Sequence, residues 1–158
     1  MDRNFTKDST ELINYVRQAF AHVPGPMEWE GLSSIQDFQR AFGDDFFSSI
    51  GDTIYSWDLN DIKYIIPFSI EFYVLHYKDT PEIGHRAEML MLMFQQPNHE
   101  VEPIRHRLNE IYDSFNGKES EAFCRFFKFI KKYDLGLYEK DIDIAIQFWC
   151  EKGHESLG

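Results

Sequence analysis

Ile62–Tyr77 (IKYIIPFSIEFYVLHY) is the most apolar stretch of the chain, and any fold it adopts must bury that stretch. Read as a helix, it places Ile62, Ile65, Ile66, Ile70, Tyr73 and Tyr77 along one side at three- and four-residue spacing, and Phe68, Phe72 and Leu75 widen that side. Lys63, Pro67, Glu71 and Lys78 form a thin polar stripe. A helix apolar over most of its circumference is surrounded by other elements. A membrane span needs about 20 apolar residues almost free of charge, and this run is shorter and carries Lys63 and Glu71. Asn60 or Asp61 can cap its start. Pro67 lacks an amide donor, so the spacing predicts either a kink near Ile66 or a helix that ends there.

The flanking sequence supplies further helical patterns. Leu12, Ile13, Val16, Ala19 and Phe20 give an apolar face over residues 8–22, with Asp8, Ser9 or Thr10 as cap and Val23-Pro24-Gly25-Pro26 as stop. Short helices follow from Ser33 or Ser34 to Gly43 and from Asp44 or Asp45 to Gly51, with a loop or turn over Thr53–Trp57. After Pro81 come helices over Glu82–Gln96, whose Met89–Phe94 run (MLMLMF) reads as core filling, over Val101–Phe115, ended by Asn116-Gly117, over Lys118–Tyr133 and over Glu139–Glu151. No internal repeat, low-complexity linker or sustained strand alternation is present, and the connections are short. The expectation is one all-α domain over residues 1–158, a compact bundle of six or seven helices around a buried central helix near 60–78. With 15 phenylalanines in 158 residues, most rings must lie inside.

Catalytic signatures are missing. There is no Gly-rich phosphate loop, G-x-S-x-G elbow or CxxC pair, so no enzyme activity and no cofactor is expected. His99, Glu102 and His106 fall at i, i+3 and i+7 and could hold a zinc-like ion. Pro103 interrupts them and only one helix contributes, so solvated first-turn residues are the better account. His85 and Glu88 lack the second pair that a di-metal bundle requires. Glu71 reads as exposed or paired with a lysine. Cys124 and Cys150 both sit in apolar helical patterns, and reduced core thiols in a cytoplasmic protein are expected; a disulfide would need their two helices to be neighbours.

The charge is distinctive. The net value is −11, with a pI near 4.9, which disfavours nucleic acid and anionic membrane surfaces as partners. Eight acids (Glu28, Glu30, Asp37, Asp44, Asp45, Asp52, Asp58, Asp61) and one base, Arg40, fall in Met27–Asp61, so this segment carries −7 of the −11. It also holds Trp29, Phe47, Tyr55 and Trp57. Aromatic anchors in an acidic rim suit a basic protein partner, and the candidate binding residues are Trp29, Asp44, Asp45, Asp52, Tyr55, Trp57 and Asp58. The competing account sends the aromatics to the core and uses the acids as helix caps.

Several segments together resemble a small bacterial all-α domain family of unknown function: Tyr64-Ile65-Ile66-Pro67-Phe68, the apolar helix after it, the Phe-rich Ala122–Ile130 (AFCRFFKFI), and Asp141–Trp149 ending in Phe148-Trp149, with Ala19-Phe20 and the Val23–Pro26 turn upstream. The resemblance implies a helical fold and brings no catalytic residue. The functional expectation is a protein-interaction module, such as an acidic inhibitor or immunity-type protein binding a basic partner. The alternative is a small-molecule or metal-binding protein or enzyme with a pocket beside the central helix.

Overall fold

The structure, a computed structural model, describes residues 3–50, 53–76, 94, 102–133 and 139–157. Over these residues it is all-helical, with seven α-helices: α1 (Arg3–Ala19), α2 (Ile35–Phe42), α3 (Phe46–Ser49), α4 (Leu59–His76), α5 (Glu102–Asp113), α6 (Gly117–Tyr133) and α7 (Glu139–Leu157). Single 3-10 turns at Met27–Trp29 and Ile54–Ser56 join them, and no strand occurs among the described residues. The helix expected over Glu82–Gln96 lies outside the described residues except for Phe94, which is helical and buried.

The central helix is continuous through Pro67, as a single central helix near 60–78 requires, and of the two expectations for the proline the one that ended the helix at Ile66 falls. The proline forfeits one intrahelical bond, while Ile62, Ile65, Ile66, Ile70, Phe72, Tyr73 and Val74 are all buried and hold the helix together by packing. It starts at Leu59, one residue ahead of the expected caps. Leu75, read as apolar face, is nearly half exposed.

α4 carries an aromatic ladder at i, i+4 and i+8. Tyr64 meets Trp29, Phe68 meets Phe38, and Phe47 stacks on Phe72, with centroids 5.9, 5.0 and 5.3 Å apart. Such pairs add about 0.5–1.5 kcal/mol each beyond area burial. Residues 26–50 are thereby fixed onto the central helix. Gly25 passes so close to Tyr64 that a Cβ there would stand 2.9 Å from the ring, so a larger residue would require the Tyr64 ring to move.

α1 begins five residues earlier than its expected cap. Phe5 packs on Phe129 and Tyr133, which anchors the extra turn. Ser9 and Thr10, expected as caps, instead donate to the carbonyls of Phe5 and Thr6 within the helix. Asp8 binds Lys132 and Tyr133 of α6. Ser34 does cap α2, accepting from the Asp37 amide at 3.1 Å, whereas Asp45 precedes α3 without a side-chain cap bond.

α6 and α7 form the tightest pair. Phe123 stacks on Trp149 at 4.5 Å and on Phe94 at 4.8 Å, and the Trp149 indole donates to the Phe94 carbonyl at 2.8 Å. α7 runs six residues past its expected end at Glu151 and passes Gly153, where a Cβ would lie 3.1 Å from the Glu121 amide nitrogen. The same antiparallel register brings Cys124 and Cys150 to a Cα separation of 4.8 Å, and they form a disulfide, within ordinary disulfide reach. The expectation of reduced thiols is therefore corrected, because the neighbour relation it turned on is met.

Replacing both cysteines by alanine should lower stability by about 3.5 kcal/mol, the loop-entropy value for a separation of 26 residues, seen as a lower denaturant midpoint. The unfolded, unreduced wild-type chain should take up no thiol-alkylating mass. Alkylation of both cysteines without reductant would contradict the disulfide.

Candidate interaction surface

The chain from Pro26 to Leu32 forms a tight turn held by three backbone bonds: Trp29 to Pro26, Glu30 to Met27 and Leu32 to Trp29. This winding turns Trp29 inward and leaves Met27, Glu28 and Glu30 outward. Met27 is 90% exposed, an unusual position for a large apolar side chain. Trp29 lies against Trp57 with centroids 5.6 Å apart and edge-on to Phe38 at 5.4 Å. The Trp57 turn is pinned from behind by Arg107 of α5, which donates to the Trp57 carbonyl and pairs with Glu110.

Shortly after Trp57 in sequence, Asp61 feels the charges of two further carboxylates. Burial raises the Asp61 pKa above its ordinary 3.8, and the charges of Asp58 and Glu28 raise it further. Like charges within interaction range disfavour ionisation and create a negative field that a cation relieves. Asp58 and Glu28 are exposed.

The remaining acids of the segment divide. Asp37 is a structural acid: its carboxylate accepts from the Ser33 amide at 3.0 Å and from Arg40. The Ser33 amide first, then Arg40, hold its pKa down to about 2. Asp44 and Asp45 are exposed at the α2–α3 corner beside Phe42, itself about half exposed. Of the candidate binding residues, Trp29, Trp57 and Asp58 thus share one surface, and Asp44 and Asp45 belong to the corner. Asp52 and the Tyr55 side chain lie outside the described residues. Phe47 is core, so the account that sent the aromatics inside holds for it and for Phe38.

Of the metal candidates, only His106 has a described side chain. His106 is 78% exposed and pairs with Glu110 at 3.5 Å. His99, the side chain of Glu102, and the His85–Glu88 pair lie outside the described residues. Among the described residues no three His, Cys, Asp or Glu side chains converge. A groove of about 290 Å³ opens between α1 and α6 and takes no residue from α4.

A second polar constellation escaped the sequence reading. Glu119, at 0% side-chain exposure, accepts from the Asn116 amide at 2.8 Å, and the Glu119 amide donates to Asn116 Oδ1 at 2.8 Å. This reciprocal capping box starts α6, so Asn116-Gly117 opens a helix as well as closing one. Lys63 of the central polar stripe reaches the same carboxylate at 2.9 Å and the Ser114 carbonyl at 3.0 Å, and His22 stands 3.5 Å from Oε2. The Asn-x-x-Glu spacing signals the cap; nothing in the sequence signals Lys63 or His22. Glu71, expected to be exposed or paired with a lysine, is 14% exposed and takes Arg17 of α1 at 2.6 Å. The polar stripe of α4 is therefore an inter-helix ion-pair seam.

No protein-family model, no curated protein and no solved structure matches this chain. No helix of the described residues is long and apolar enough to cross a membrane.

Lys63→Met removes the direct ion-pair partner of buried Glu119, leaving its capping amide, a half-exposed histidine and the charge of Lys152, and should cost about 3 kcal/mol in denaturant unfolding. Adding Glu119→Gln should recover part of that loss, since the amide oxygen still accepts from Asn116 and no buried charge remains. Asp61→Asn should raise the melting temperature at neutral pH, because the fold disfavours the ionised carboxylate. That gain should fade as the pH falls through 3.8, where Asp61 is protonated in the unfolded chain as well.

Proposed function

We propose that the chain is a non-enzymatic protein-interaction module whose acidic segment binds a basic partner, in the manner of an inhibitor or immunity-type protein. The observation that carries the reading is the surface built on Trp29 and Trp57. An exposed methionine, Met27, stands beside Glu28 and Glu30 on a turn locked to the core by aromatic packing, and exposed Asp58 follows Trp57, the ring that Trp29 meets. A rigid apolar point in an acidic rim matches a basic surface with little ordering cost. The exposed Phe42 with Asp44 and Asp45 repeats the composition at the α2–α3 corner. The likeness to a small bacterial domain family of unknown function adds no activity to this reading.

The cytoplasmic address expected from the sequence carried with it reduced thiols, and the Cys124–Cys150 disulfide stands against that consequence. A structural disulfide persists in oxidising compartments, so the reading assigns the interaction to such a compartment. Thiol labelling in intact cells checks this: protection of both cysteines is expected, and labelling of both restores the cytoplasmic address.

The interaction is tested by immobilising the wild-type chain and a Glu28→Lys/Asp58→Lys variant and passing host extract over both. A basic protein should be retained by the wild type at low salt, released as salt rises, and lost from the variant. Asp44→Lys/Asp45→Lys should weaken retention less if the Trp29–Trp57 surface is the centre of contact. No retained partner, or retention indifferent to salt and to both variants, removes the proposal.

A further inference from the structure

The groove between α1 and α6 sets three cations against two acids, a small positive excess on an acidic molecule. Its floor is apolar, made by Leu12 of α1 and Phe129 of α6, both nearly buried. One wall is a ladder of three cations on α6, Arg125, Lys128 and Lys132, at i, i+3 and i+7 and hence on one face. Asp8 and Glu11 form the other wall.

The local ion pairs do not use this charge up. Asp8 takes Lys132 and the Tyr133 hydroxyl. Glu121 takes the Arg125 Nε at 3.3 Å, while the guanidinium lies 3.8 Å over the Tyr15 ring. That stacking orients the fork with its remaining donors available. Lys128, between them, is exposed and has no ion pair among the described residues. The groove therefore offers an apolar floor and, above it, one unengaged ammonium beside an oriented guanidinium. Its 290 Å³ sits near the lower end of small-ligand sites, about 300–1,000 Å³.

We propose that this groove is a binding site for a small amphipathic anion. An aromatic or branched aliphatic body rests on Leu12 and Phe129, and its carboxylate is held by Lys128 and Arg125. A cationic or neutral ligand would forgo those two donors, and an extended polyanion would meet Asp8 and Glu11 on the facing wall. The site is separate from the acidic surface of residues 27–61 and does not depend on its proposed role.

The test uses naphthalene-2-carboxylate as probe, titrated into the full chain with amide chemical shifts followed by NMR. Saturable shifts are expected at Leu12, Arg125, Lys128 and Phe129. Exposed charge pairs contribute modestly, and reversal both removes an attraction and adds a repulsion, so Lys128→Glu should weaken binding about tenfold. Lys128→Arg should keep it, and naphthalene-2-methanol, of similar shape without the charge, should bind about as weakly as the Lys128→Glu case. Lys128 is exposed, so both variants should fold, which their unshifted core amides would verify. Shifts centred elsewhere, equal binding of the neutral alcohol, or binding unchanged in Lys128→Glu would each overturn the proposal.

Discussion

The close antiparallel approach of α6 and α7 is the contact on which the remaining packing leans. It is possible because Gly153 presents no Cβ to the Glu121 backbone. At that spacing Phe123 and Trp149 can stack and Cys124 can reach Cys150. The face opposite α7 is then free to receive α1, where Phe5 meets Phe129 and Arg125 lies over Tyr15. A side chain at 153 would need the Glu121 backbone to give way, and the disulfide and the aromatic stack across the same helix pair would shift with it, so two interactions share one geometric condition.

The second organising element is the polar seam on α4. Lys63 and Glu71, a turn of helix either side of Pro67, tie the central helix to the start of α6 and to α1. Breaking a buried pair costs more than making it gains, so the seam works chiefly as a condition on register. The central helix cannot rotate without leaving Glu119 unpaired in the interior, whereas its apolar residues, present on most of its circumference, would tolerate rotation far better. The aromatic ladder of Tyr64, Phe68 and Phe72 is then held in the one orientation that seats Trp29, Phe38 and Phe47. The acidic surface is positioned by ion pairs on the stripe of α4 next to the ladder that seats it.

How far the sequence revealed this follows from which signals are local. Helical periodicity, the Ser34 cap and the glycine and proline stops are contained within a few residues, and they marked the all-α class and most element positions. Three features depended on distant partners. The extra turn of α1 relies on Phe5 meeting Phe129 and Tyr133, so a polar N-terminal stretch concealed it. The continuity of α4 through Pro67 is decided by the burial of most of its circumference, which outweighs one lost hydrogen bond. The disulfide required knowing that α6 and α7 are neighbours. Of the candidate surface, composition identified the acidic segment. Only three-dimensional packing separated Phe47, which is core, and Asp37, which is a cap, from Trp29, Trp57, Glu28 and Asp58. Glu119 was missed because a capping spacing carries no mark of burial.

The three tryptophans occupy two unlike environments, which gives the molecule separate optical reporters. Trp149 is sealed in the α6–α7 core with its indole N–H committed to the Phe94 carbonyl. Trp29 and Trp57 are half-buried together under an acidic rim. A negatively charged rim draws in cationic quenchers and repels anionic ones. Caesium should therefore reach the surface pair far more readily than iodide, while neither reaches Trp149 until the core opens. Emission from one chain can then follow events at its acidic face and the integrity of its interior as two independent signals.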